Sequence, residues 1–204
     1  MDAVPVPSLT AHRDRASATR LAAVAAVVDV ALAVGLGVVR AVNSGVGQRR
    51  AEGPIPTLAL VVVLAAPGAV ALLGVAVARP VLFGAAGVAC WPLAFVSVAA
   101  LPIWLPALLF LFAFVQASRI RPPPPLVAGL VLAGFTALLL VALRILVTGN
   151  GQYTYTFPGG SEGGDYFRPA HAMLCIVIVV VDLVLATVLA RAGASPPRPT
   201  PGPR

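Results

Sequence analysis

From Val81 to Ala117 the chain runs for 37 residues without one charged side chain. No feature constrains the fold more. A soluble domain of 204 residues buries only about 70% of the surface its unfolded chain exposes, so runs of this length would be left in water. As one straight helix the run would be about 55 Å long, nearly twice the thickness of a bilayer core. Two crossings of about 18 residues fit better. Composition agrees. Hydrophobic residues make up 59% and charged residues 10% of the chain, and mean hydropathy is +0.97. These values exclude an ordinary soluble protein and predict a polytopic membrane protein.

Four further apolar runs complete the pattern. Leu21 to Val39 is the first. Basic residues precede it as in a signal peptide, but it is longer than a usual signal core and carries Asp29. It reads as an uncleaved span. Thr57 to Ala78 is the second, with Pro67-Gly68 predicting a kink at its middle. Leu101-Pro102-Ile103-Trp104-Leu105-Pro106 is the expected turn between a third span at 81–99 and a fourth at 103–117, with Trp104 at the interface. Arg119, Arg121 and Pro122 to Pro125 form a stiff connector to the fifth span, 126–147. The sixth is 171–190. The prediction is an all-α, polytopic transmembrane helical bundle of about six spans at 21–39, 57–78, 81–99, 103–117, 126–147 and 171–190. A polar N-terminal tail (1–20) precedes it and a disordered, Pro-rich basic tail (192–204) follows.

Arginine sets the orientation. Lysine is absent, and the 14 arginines outnumber the seven acids to give +7. They lie scattered between apolar runs, with no basic stripe and no interleaved aromatics, so nucleic acid is not implied. With six spans and a cytoplasmic N-terminus, nine arginines fall inside (13, 15, 20, 79, 119, 121, 191, 198, 204) and four outside (40, 49, 50, 168). A single crossing at 81–117 would give eight against five. The positive-inside rule favours six spans with both termini cytoplasmic. The absence of lysine and the heavy use of alanine, valine, glycine and proline look like GC-rich bacterial coding, so the expected location is the cytoplasmic (inner) membrane of a bacterium.

The loop 148–170 is the longest between spans. Tyr153, Tyr155 and Phe157 alternate there, followed by Gly159-Gly160-Ser161-Glu162-Gly163-Gly164 and Tyr166-Phe167. Alternation around a glycine-rich turn predicts a small hairpin or aromatic flap at the interface. Gly129, Ala133 and Ala137 form a small-residue face on span five that lets another helix approach.

Three ionisable residues lie within spans: Asp29, Asp182 and Arg144. Buried charge in a membrane is costly, so such residues face the bundle interior or a polar path. Asp29 and Asp182 each lie about 12–14 Å from the cytoplasmic end of their spans. They could meet if the first and last helices packed together. Two carboxylates sharing an apolar site would then hold one proton between them. The plainer reading is that each hydrogen-bonds and orients its own helix. Arg144 is about three residues from the outer end of span five and can snorkel.

Enzyme templates fail. The two histidines, His12 and His171, sit in the tail and at the outer interface, and HExxH, GxSxG, P-loop and GxGxxG motifs are missing. Cys90 and Cys175 lie inside apolar runs and form no CxxC or Cys/His cluster. No metal or cofactor is implied. Lipid is the expected partner, and a membrane-protein partner or a second copy remains open. The leading expectation is a non-enzymatic scaffold or accessory subunit. The alternative is a small proton- or cation-coupled transporter using Asp29 and Asp182, and a membrane enzyme is third.

Overall fold

The computed structural model describes residues 9–44, 53–96, 101–120 and 122–193. They form six helices and one hairpin: α1 (Leu9–Asn43), α2 (Ile55–Ala76), α3 (Val81–Val96), α4 (Leu101–Ile120), α5 (Pro125–Thr148), β1 (Asn150–Phe157), β2 (Gly160–Phe167) and α6 (Pro169–Ala192). The fold is all-α with a two-stranded ribbon inserted before its last helix. Arg49, Arg50, residues 97–100 and most of the Pro-rich tail lie outside the described residues.

Four helices, α1, α2, α5 and α6, are long and apolar enough to cross a membrane, and α3 and α4 are shorter apolar helices. The interior is built from small residues. Ala22, Ala25 and Ala26 of α1, Ala59 and Ala71 of α2, and Ala85, Ala86 and Ala89 of α3 have no exposed surface. The large aliphatics point the other way: Val24, Val27 and Val38 on α1 and Val177, Val181 and Val184 on α6 are all more than half exposed. Continuous outward apolar faces of this kind are rare on soluble monomers. Small residues at helix contacts with valine and leucine outside are what lipid favours, because close backbone approach replaces the hydrophobic drive between helices.

α2 packs against α1, α3 and α6, α4 packs against α3 and α1, and α5 pairs with α6. The end of α2 is sharply defined. Ala78 takes a left-handed φ of 54°, Arg79 N–H reaches back to Gly74 O at 2.9 Å and Ala78 N–H to Val75 O at 3.3 Å. This is the Schellman closure, and Pro80 follows it.

Two boundaries differ from the sequence expectation. α1 begins at Leu9, so helix replaces much of the polar tail. No proline or glycine interrupts residues 9–34, and the hydroxyls of Ser17 and Thr19 bond back to Asp14 O at 2.7 Å and Arg15 O at 3.0 Å. Polar residues here prolong the helix instead of ending it. The break in the 81–117 run is the second. It falls between Val96 and Leu101, and both Pro102 and Pro106 lie inside α4. Pro102 is in the first turn, where a missing N–H costs nothing. α3 and α4 nevertheless form an antiparallel pair. Gly84 lies against Phe114 and Gly87 against Leu111, and Trp91 meets Trp104 edge to face at 4.3 Å.

The hairpin is fully paired from Asn150↔Phe167 to Phe157↔Gly160 around the two-residue loop Pro158-Gly159. Gly159 has φ 102°, which a side chain would strain. Its base is tied to the helices. Arg168 N–H donates to Gly149 O at 3.2 Å, the His171 ring lies 3.3 Å from the same oxygen, and the Arg40 guanidinium stands 4.3 Å from the centre of the Phe167 ring. The Gly129–Ala133–Ala137 face of α5 is exposed, so it is not used for packing within the chain.

Candidate functional site

Both helix-borne acids are buried, with Asp29 3% and Asp182 2% exposed. Their surroundings differ. Pro67 lies inside α2, and the next residue has no side chain. α1 therefore approaches the backbone of α2 closely at Gly68. A Cβ there would lie 2.9 Å from both Ala26 O and Asp29 Oδ2. Into this contact Gly68 N–H donates a hydrogen bond of 2.8 Å to Asp29 Oδ2. Gly68 thus supplies both the room and the donor.

Asp182 lies where α6 faces α5, beside a void of about 10 Å³ lined by Leu130, Val131, Gly134 and Phe135 of α5 and by Ala186 and Leu189 of its own helix. Every one of these neighbours is apolar. Its Oδ2 is buried without a hydrogen-bond partner. Space of that size holds at most one water, and a water needs two or more polar partners to stay.

The two acids therefore have different neighbours. α1 packs on α2 and α4, whereas α6 packs on α5 and α2. Contact between the first and last helices was the condition for a shared carboxylate site, and the main packing of α1 is elsewhere. Arg144 is exposed on α5 and lies apart from both acids; its carbonyl accepts from the Thr148 hydroxyl at 2.7 Å. Cys90 and Cys175 are buried free thiols, and Cys175 Sγ–H donates to Ala142 O at 3.0 Å. Among the described residues no group of three or more His, Cys, Asp or Glu could hold a metal ion.

Two participants escaped the sequence reading. Gly68 was visible only as half of a kink, because the identity of the side chain meeting its amide depends on how α1 crosses α2. Arg40 read as a loop charge, and its seat on Phe167 follows from the hairpin folding back over the helix ends.

The Asp29 contact makes a direct prediction. Asp29→Asn keeps an oxygen that can accept from Gly68 N–H, so its melting temperature in detergent should stay close to wild type. Asp29→Leu removes the acceptor and should cost about 1–2 kcal/mol, the upper range for hydrogen bonds between membrane helices. Equal stability of the two variants would mean that the bond does not hold α1 to α2.

Comparison of the chain with protein-family models, with curated proteins and with solved structures gives no match in any of the three.

Proposed function

We propose that the chain is a non-enzymatic component of the cytoplasmic membrane, a scaffold or accessory subunit whose six helices all cross, with both termini on the cytoplasmic side. The observation that supports this best is the engagement of Asp29. A carboxylate buried in the bundle and bonded to the amide of a neighbouring helix is a fastening between helices. Charge supports the orientation. Arg15, Arg20, Arg79, Arg119 and Arg191 lie at or near the α1 N-terminal end of the bundle, away from the hairpin.

Labelling tests the topology. In intact cells Ser161→Cys in the hairpin should react with an impermeant maleimide, and Ala192→Cys at the end of α6 only after permeabilisation. Reaction of both from one side would defeat the six-span arrangement.

A second reading, a small proton-coupled carrier, has one observation in its favour: the Asp182 carboxyl, buried with an oxygen that nothing satisfies. Such a group in a membrane is expensive and is often retained for proton handling. The two readings part on Asp182→Asn. A scaffold shows no proton flux in reconstituted vesicles, and the substitution leaves that unchanged. A carrier shows flux that the substitution abolishes while the melting temperature stays within a few degrees of wild type. Flux lost through Asp182→Asn would replace the scaffold reading with the carrier.

A further inference from the structure

At the hairpin end of the bundle the side chains leave a space of about 310 Å³. Leu64 of α2, Leu93 of α3, and Leu143 and Leu146 of α5 form its inner wall, and all four are buried. Arg40 and Phe167 also line it, where α1 and β2 end. The volume is at the lower limit of natural ligand sites, which run from about 300 to 1,000 Å³. Apart from Arg40 and Phe167 the described lining is aliphatic and offers no side-chain hydrogen bond, so a polar solute would lose its hydration there without replacement. An alkyl chain would lose nothing.

Among the described residues, Arg40 is the one charged residue lining the space. It lies in the last turn of α1, at the level where the helices give way to the hairpin. In a bilayer that is the depth of the headgroups. Its guanidinium is already held against the Phe167 ring. Holding a long side chain in place beforehand reduces the rotamer entropy lost on binding. A guanidinium also presents paired donors that match phosphate oxygens.

We propose that this cavity binds one acyl chain of an anionic phospholipid from the hairpin-side leaflet, with the lipid phosphate on Arg40. The geometry couples an aliphatic slot to a cation at its headgroup end, which is the complement of such a lipid. This depends on the chain residing in a bilayer and is independent of whether it acts as a scaffold or a carrier.

The test uses the full chain, delipidated in a non-ionic detergent. It is titrated with dioleoyl phosphatidylglycerol, dioleoyl phosphatidylcholine and oleate, and bound molecules are counted by native mass spectrometry. One phosphatidylglycerol per chain is expected, at least tenfold tighter than phosphatidylcholine. Arg40→Gln should bring the two lipids within about twofold of each other. Leu143→Trp, or the milder Leu64→Phe if that variant fails to fold, should weaken both by filling the slot. Arg144→Gln removes an exposed arginine that does not line the cavity, and it should leave the preference intact. Equal binding of the two phospholipids by the wild-type chain would overturn the proposal. So would loss of the preference in Arg144→Gln to the same degree as in Arg40→Gln, since surface charge would then be selecting. Tighter binding of oleate than of phosphatidylglycerol would also overturn it.

Discussion

Gly68→Val should lower the stability of the bundle by about 3 kcal/mol, the upper end for overpacked interiors. A Cβ at this position would meet Ala26 O and Asp29 Oδ2 at 2.9 Å and Val30 Cγ2 at 3.1 Å. The first of these is a backbone atom and cannot rotate away. α1 would have to move off α2, and the 2.8 Å bond from Gly68 N–H to Asp29 would stretch with it. Gly68→Ala should show the same effect at about half the size. Gly35 supplies the control. It also lies within a helix, but a Cβ there meets nothing within 4 Å, so Gly35→Ala should be neutral or stabilise by up to about 1 kcal/mol through helix propensity alone. Thermal unfolding of the purified variants in one detergent measures all three. A Gly68→Val protein that melts with the wild type would show that α1 and α2 do not cross there.

Phe110→Ala should cost about 3 kcal/mol, near the lower limit for truncating a buried phenylalanine. Phe110 has no exposed surface, and it sits on α4, which packs against α3 and α1. Transfer from water contributes little here, because lipid is as apolar as the interior. The loss comes from vanished dispersion contacts and from the hole left behind. Leu108, two residues away, is 55% exposed, and acyl chains can fill the space that Leu108→Ala opens. That variant should stay within about 0.5 kcal/mol of wild type. Similar losses for the two would mean that α4 is not seated in the bundle as described.

Much of this architecture was legible in the sequence, because lipid leaves few choices. Backbone polar groups must be satisfied within the segment, so an apolar run of sufficient length becomes a helix. The alternating Tyr153, Tyr155 and Phe157 beside a glycine-rich turn pointed to a hairpin or a flap, and the structure sets its register around Pro158-Gly159. Boundaries were less legible. Pro102 looked like a terminator but stands in the first turn of α4, since the same residue is tolerated at a helix start and disruptive further in. Arg13, Asp14 and Arg15 looked like a tail because polarity was taken for irregularity, while nothing in residues 9–20 opposes a helix.

The candidate site divides along the same line. That Asp29 and Asp182 would be unusual followed from residue type and position alone. Their partners did not, since partners depend on which helices touch. Equal depth put the two acids at one level without saying which helix each would face. The chain seats Asp29 on Gly68 of α2 and sets Asp182 against Gly134 and Phe135 of α5. No single-helix pattern encodes a crossing between helices.

The alanine interior has a consequence written in the genetic code. Ala18, Ala22, Ala25, Ala26 and Ala33 line the inner side of α1 with at most 2% exposure. A single base change in an alanine codon yields valine, threonine, serine, proline, glycine or an acid. On the inner side of α1 nearly all of these are too large, too polar or helix-breaking. The same change in a valine codon mostly yields isoleucine, leucine, methionine, phenylalanine or alanine, which the lipid-facing positions Val24, Val27 and Val38 can accept. Random mutation should therefore be purged from one side of this helix and accumulate on the other, and a deep mutational scan of α1 should show fitness cost alternating with the turn of the helix.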